Sequence, residues 1–276
     1  MKRRLALAVS LVLSGLLASL AAEAKEPEPR RIGVWLTNSP SPLYYSKQRI
    51  QEAVEELSVA GFNTLYPNVW SRGTTFHRSR WAPMEPALLQ SNPNLDPICR
   101  FTEAAHRRGL RVIPWFEYGL MEPADAAVVR QNPEWVLQNS SGISTVSMHG
   151  KEMVWLNPAH PGVKERFLGL IGEIVQRCKV DGIQLDDHFA WPVELGYDPY
   201  TRALYRQETG QEPPELHTDR AWMNWRRRQL TGLLRELRRT LKDSGLGSPT
   251  SASPPAPSAL PTTIGSRTGR SGPWGA

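Results

Sequence analysis

Cysteine is nearly absent: the 276 residues contain two, Cys99 and Cys178. That excludes a disulfide-dense miniature scaffold and a zinc ribbon, both of which need more sulfur. Neither GxGxxG nor GxxxxGK(S/T) follows any expected strand, and HExxH and paired CxxC motifs are missing as well. The sequence therefore specifies no dinucleotide or phosphate loop, no metal site and no cofactor. Excess charge of one sign is also scarce. The formal net charge is +6, of which the first 24 residues and the stretch from Leu246 each contribute +2, leaving a body at +2. A body so balanced carries no footprint for nucleic acid. The run Arg226-Arg227-Arg228 and the pair Arg238-Arg239 read as the solvated face of one helix.

Long apolar runs are limited to one. Leu5–Leu20 follows Lys2, Arg3 and Arg4 and precedes Ala22-Glu23-Ala24, a small-x-small cleavage pattern. This predicts a signal peptide over residues 1–24, cut near Ala24, with export to the periplasm or the extracellular space. The run is too short, and lacks the flank, for stable membrane insertion. Export permits a disulfide. However, Cys99 opens one expected helix and Cys178 closes the next parallel one, which puts them roughly 25 Å apart and predicts that they are unpaired.

What is present is a rhythm of strands and helices. Ile32–Thr37 reads as a strand, and Ser46 caps a helix to Ala60 with Ile50, Ala53, Val54 and Leu57 on one face. Asn63–Trp70 is a second strand, and Asp96 opens a helix that Gly109 stops. Arg111–Glu117 is a third strand; Asn157–Pro161 starts a helix to Cys178, which delivers the chain to a fourth strand ending at Asp186. Helix, glycine and strand recur at Gly61, Gly109 and Gly182. Alternating elements of this kind predict a parallel α/β sheet, either barrel or doubly wound. An amphipathic helix follows over Ala221–Lys242, and no fifth strand comes after it. From Leu246, 17 of 31 residues are Pro, Ser or Gly, so residues 246–276 are expected to be a disordered tail.

The organising stretch is Val180–Trp191, where alternation sets Ile183 and Leu185 on one face and Gln184 and Asp186 on the other. Asp186 then points inward at a strand's carboxyl end, where α/β barrels place their chemistry. Glu117 shares its face with Ile113 and Trp115 and is expected inward one strand away. Asp187 alternates outward, suited to orient His188. Asn68, Asp187 and His188 offer hydrogen-bonding groups beside these two acids, and Trp70 and Trp191 offer flat indoles suited to stacking on an apolar ring face of a bound ligand.

Five phrases occur in order: Gly33–Asn38, Phe62–Pro67, Pro114–Gly119, Trp155–Pro158 and Asp181–Phe189. Together they resemble the glycosyl hydrolase-like family 10 over Arg31 to about Ser244. The resemblance implies a (β/α)8 TIM-barrel type of fold, here stopped after about four βα units in residues 31–244, and glycoside hydrolysis in the cell envelope on a polysaccharide or glycan. The tail is then expected to be out of frame or truncated, and an open half-barrel to leave its inner face uncovered. A more distant similarity to α-amylase-type barrels, whose Gly-x-Arg-x-Asp strand carries the nucleophile, implies that role for Asp186; Gln184 stands where those barrels have arginine. Glycoside cleavage needs two carboxyls, so Glu117 is the candidate acid, within the roughly 5–5.5 Å of a retaining pair if the strands are adjacent. The competing expectation is a carbohydrate- or envelope-binding protein that has shed catalysis. Nothing in the sequence specifies the glycan or an oligomeric state.

Overall fold

The computed structural model describes residues 30–38, 41–148 and 150–246. The expected signal peptide and nearly all of the expected tail lie outside these residues. All elements named below belong to the compact unit that begins at Gly33.

Four parallel segments, in sequential order, build the sheet that positions the site. β1 (Gly33–Leu36) pairs with β2 (Thr64–Pro67), which pairs with β5 (Arg111–Val112), all parallel. Pro114 has no amide to give, and the third segment is interrupted there before resuming as β6 (Trp115–Phe116). β6 then pairs in parallel with β10 (Gln184–Leu185), and a bridge from Asn68 to Trp115 ties the end of the second segment to the third. Leu65, Val112 and Phe116 on the outer face are fully buried beneath helices. The opposite face is open, and Trp35 on β1 is 53% exposed. This is the expected α/β class, with no closed barrel among the described residues.

Local chemistry sets the helices that join these strands. α1 (Lys47–Val59) starts where the Ser46 hydroxyl accepts from the Arg49 amide, and it buries Ile50 and Val54, one turn apart. A second, short helix, α2, covers Pro86–Ser91. α3 (Pro97–His106) is capped by Asp96 and buries Ile98, Phe101 and Ala105. α1 and α3 both end in a left-handed glycine, Gly61 and Gly109, whose following amides bond back to Leu57 and Ala105. The third stop departs from expectation. Between Cys178 and the last strand the left-handed residue is Lys179, at φ 52°, while Gly182 lies beyond it with its Cβ position 3.6 Å from Ile113.

Between the β6 segment and the next crossover helix lies an antiparallel sheet absent from the sequence reading. β7 (Met121–Pro123) and β8 (Val146–Met148) flank β9 (Lys151–Trp155), with the five-residue helix α4 (Ala127–Gln131) between the first two in the chain. A small hairpin, β3 (Trp70–Ser71) with β4 (Thr74–Thr75), fills part of the loop after β2. α5 (Pro161–Cys178), α6 (Pro199–Thr209) and α7 (Arg220–Asp243) complete the described elements.

The two cysteines are bonded, contrary to the separation expected of them: Cys99–Cys178 has Cα atoms 4.4 Å apart. The expectation charged the full length of α5 to the gap between helix ends. But α3 is ten residues long, and Cys99 is two turns from His106, which touches Asp181 at 2.8 Å. Asp181 is three residues beyond Cys178, so the short helix lies alongside the last turns of the long one. Arg177 on α5 also reaches the Asp96 cap of α3 at 2.8 Å.

Arg226 is a second correction. Arg227 and Arg228 are solvated as expected, but Arg226 is 3% exposed and donates to the carbonyls of Val193, Leu195 and His217. Its guanidinium lies 5.0 Å over Trp222, within a cluster of Tyr197, Tyr205, Trp222 and Trp225. It thereby holds the loop after β10.

That loop is also seated on the turn after β6. Gly119 has φ 48°, and a Cβ there would fall 2.5 Å from the Phe189 amide nitrogen and 2.6 Å from the His188 carbonyl carbon.

Two stability outcomes follow. Replacing Cys99 and Cys178 by serine releases a crosslink spanning 79 residues and should lower unfolding stability by about 2–4 kcal/mol in urea titration; an unchanged midpoint contradicts the bond. Gly119→Ala combines a strained φ with a backbone collision and should cost about 2–4 kcal/mol in the same measurement, whereas a cost below about 0.5 kcal/mol means the two loops do not meet as described.

Candidate active site

Alternation brings the carboxyl-bearing residues to the ends of adjacent parallel segments. Trp115 sits opposite Gln184, so Glu117 and Asp186, two residues further along each strand, leave the sheet side by side. Asp186 is held twice: its Oδ2 accepts from the Trp115 indole at 2.7 Å, and its Oδ1 from the Asp187 amide at 2.8 Å. Glu117 is held by Asn68, whose Nδ2 donates to Oε2 at 2.5 Å.

Asn68 is itself fixed from below. Its amide donates to the Leu36 carbonyl at 3.0 Å and to the Tyr44 hydroxyl at 2.6 Å, and that hydroxyl donates in turn to Leu36. Burial pushes the Tyr44 phenol well above its ordinary range, and the charge of Glu117 adds to the rise over the opposing Asn68 amide bond. Tyr44 is therefore a neutral hydrogen-bonding post on which Asn68, and through it the Glu117 carboxyl, is oriented.

His188 joins the two loops. Its Nδ1 lies 2.9 Å from the Glu117 carbonyl, which can only accept, so Nδ1 carries the proton and Nε2 is left for other partners. Asp187 approaches the same nitrogen at 3.3 Å from a side chain 66% exposed. The ring stacks on Tyr118 with centroids 5.6 Å apart. Asn68, Glu117, Asp187 and His188 thus form one connected group, with Asp186 beside it through Trp115.

Of the two tryptophans expected to contact a sugar, Trp70 is buried and Trp191 is engaged in packing. Trp70 is 1% exposed beneath the Arg166 guanidinium, 4.9 Å from its ring, which removes it from any sugar-facing surface. Trp191 is half-buried, donates to the Leu195 carbonyl and packs edge-on against Trp225, so it belongs to the aromatic cluster around Arg226. In their place the sheet offers residues that the sequence reading did not single out. Trp35 and Tyr66 stack with centroids 5.0 Å apart, and the Trp35 indole donates to Gln184 at 2.9 Å. Trp35, Tyr66, Trp115 and Gln184 occupy the same side of the sheet as Asp186. Alternation back from Asp186 and Glu117 reaches Gln184 and Trp115, whereas Trp35 and Tyr66 stand on neighbouring strands and are brought to this face by the cross-strand register.

One carboxyl is strongly perturbed but does not belong to this group. Burial pushes Glu122 up to about 7 against the pull of Arg166, 2.9 Å away. At 1% exposure it is shut off from the open face that carries Asp186 and Glu117. Asp96, Cys99 and Cys178 have metal-like spacing, but the disulfide uses both sulfurs. Two clefts, of about 710 and 460 Å³, open on the surface, and neither is lined by Asp186 or Glu117. These carboxyls stand on the open face.

Comparison with known proteins bears on the fold and the family. The chain is 26% identical over 235 residues to the glycosyl hydrolase DigH of Escherichia coli, a match covering 81% of this chain and 51% of the relative. It therefore spans about half the length of the curated relatives it matches. Among solved structures it is similar to α-L-fucosidase isoenzyme 2 of Paenibacillus thiaminolyticus, at TM-score 0.61 and 19% identity over 80% of this chain and 32% of that one. The α-galactosidase AgaA of Geobacillus stearothermophilus aligns at TM-score 0.52 and 15% identity, over 78% and 27%. Such identities establish likeness of fold alone. The family model for glycosyl hydrolase-like 10 matches residues 30–257, most of the sequence, and the chain belongs to that family.

Proposed function

We propose that the strand-end group is the catalytic part of a glycoside hydrolase acting on a glycan of the cell envelope. Membership of the family supports the reaction class. The observation that carries the residue assignment is the pairing of β6 with β10, which sets an Asn68-bound Glu117 beside a Trp115-bound Asp186.

In this reading the Asp186 carboxylate attacks the anomeric carbon as the glycosidic C–O bond breaks, and Glu117 gives its proton to the departing oxygen. A glycosyl ester on Asp186 results. Glu117, now ionised, takes a proton from water, which opens the ester and restores both carboxyls. Asn68 stays on Glu117 through both halves and fixes the oxygen that exchanges the proton. Trp35 stacked on Tyr66 offers an exposed aromatic face for the apolar side of a sugar ring. Asp187 and His188 take hydroxyls at the rim.

Turnover of aryl glycosides by the full chain tests the roles separately. Asp186→Asn should lower kcat/KM by about 10³-fold or more on every substrate hydrolysed. Glu117→Gln should lose about 10²–10⁴-fold in kcat/KM on poor leaving groups and keep most of its kcat/KM on 2,4-dinitrophenyl glycosides, whose phenolate leaves without a proton, while kcat falls because the ester opens without its base. Unchanged turnover in Asp186→Asn refutes the assignment. A parent chain that binds glycans and hydrolyses none of these substrates fits the binding protein instead.

A further inference from the structure

Away from the strand ends, two loops each lay a tryptophan on the same face of α5. Trp81, in the segment after β4, lies on Gly169; Trp135, shortly after α4, lies on Gly162. A Cβ at either glycine would come within 2.1 Å and 2.4 Å of the respective indole. Seven residues separate the glycines, about two helical turns, so both seats point the same way. Side chains at these positions would expel the rings.

Both indoles line the cleft of about 460 Å³, whose rim carries Arg72, Asp125, Asn132 and Glu165. Two further observations point to a ligand. Under the cleft lies buried Glu122: one oxygen is taken by Arg166, and the other, Oε2, has no partner among the described residues and sits 3.1 Å from the Cβ position of Gly73, which lines the cleft. Above it, Arg72 and Gly73 form the tip of the β3–β4 hairpin with φ of 52° and 79°, the pattern of a two-residue turn that favours Asn-Gly. An arginine is strained there, and strain kept at a ligand-facing position points to use. Arg72 also lines the neighbouring cleft of about 710 Å³.

The lining selects the class of ligand. The lining holds Arg72, Arg80 and Arg166 together with Asp125 and Glu165, and Arg166 is already paired with Glu122, so charges of both signs are balanced there. An apolar ligand would strand these polar groups without partners. Two indoles in the lining, Trp81 with the Arg80 guanidinium 5.5 Å over its ring, and a rim of mixed donors and acceptors match a pyranose, whose ring faces are apolar and whose edge is hydroxylated. We infer that this cleft is a second carbohydrate subsite, which binds a stretch of neutral glycan chain between Trp81 and Trp135. The choice of ligand rests on the glycoside hydrolase reading; the location of the site does not.

Calorimetric titration of the full chain with maltohexaose, chitohexaose and xylohexaose tests it, in an Asp186→Asn background so that nothing is consumed. At least one hexasaccharide should bind, and Trp135→Ala should weaken it tenfold or more while urea unfolding shows the fold retained. Arg72→Gly should weaken the same sugar several-fold and raise the urea midpoint, because it relieves the turn. If Trp135→Ala does not fold, Arg72→Gly decides. Absence of binding by all three sugars at millimolar concentration overturns the subsite, as does affinity within twofold of the parent in the folded variants. Hydrolysis that depends on Asp186, with affinity indifferent to Trp135, overturns the subsite alone. Trp135-dependent binding by a chain without turnover overturns the catalytic reading alone.

Discussion

The parallel register of β6 on β10 decides what can meet at the carboxyl ends. With Trp115 opposite Gln184, Trp115 and Asp186 fall on one side of the sheet, and their hydrogen bond crosses between neighbouring strands. A slip of one residue would exchange the faces and bury Asp186 among Phe116, Phe167 and Ile183. The helices enforce the register, because Phe116 and Ile183 have no other place to go than under α5. Packing on the outer face therefore sets the chemistry of the inner one.

Above the strands, the site depends on contacts between loops. Gly119 lets the turn after β6 lie on the backbone of His188 and Phe189, and the His188 ring returns a bond to the Glu117 carbonyl. Arg226 reaches from α7 to three carbonyls and fixes the remainder of the loop after β10. Asn68, anchored through Tyr44 to the first strand, extends the same support to Glu117. The two carboxyls of the proposed mechanism are thus each tied to the neighbouring segment, Glu117 through Asn68 and Asp186 through Trp115, which is the rigidity a two-carboxyl reaction requires.

Much of this was legible in the sequence because it is periodic. The apolar faces of α1 and α7, and the alternation around Asp186 and Glu117, follow directly from spacing. What was not legible depends on three-dimensional offsets. The Cys99–Cys178 bond turns on the shortness of α3 and on where its end meets Asp181, quantities that a linear reading replaces with a helix length. Trp70 reads as the end of the second strand, but it opens a hairpin with a two-residue turn that leaves it inward under Arg166. Arg226 sits in a run of three arginines, and only the rotation of α7 separates it from its solvated neighbours. The antiparallel β7–β9–β8 sheet was hidden because its strands are three to five residues long and carry no sustained alternation.

The central claim, that Asp186 is the nucleophile, is tested most directly by trapping. The full chain would be incubated with 2,4-dinitrophenyl 2-deoxy-2-fluoro-glycosides of the sugars it hydrolyses, and then digested and analysed by mass spectrometry. The account predicts a single fluoroglycosyl adduct on the peptide carrying Asp186, formed as dinitrophenolate is released. An adduct on another carboxylate, or steady hydrolysis of the same sugar series with no adduct, contradicts it.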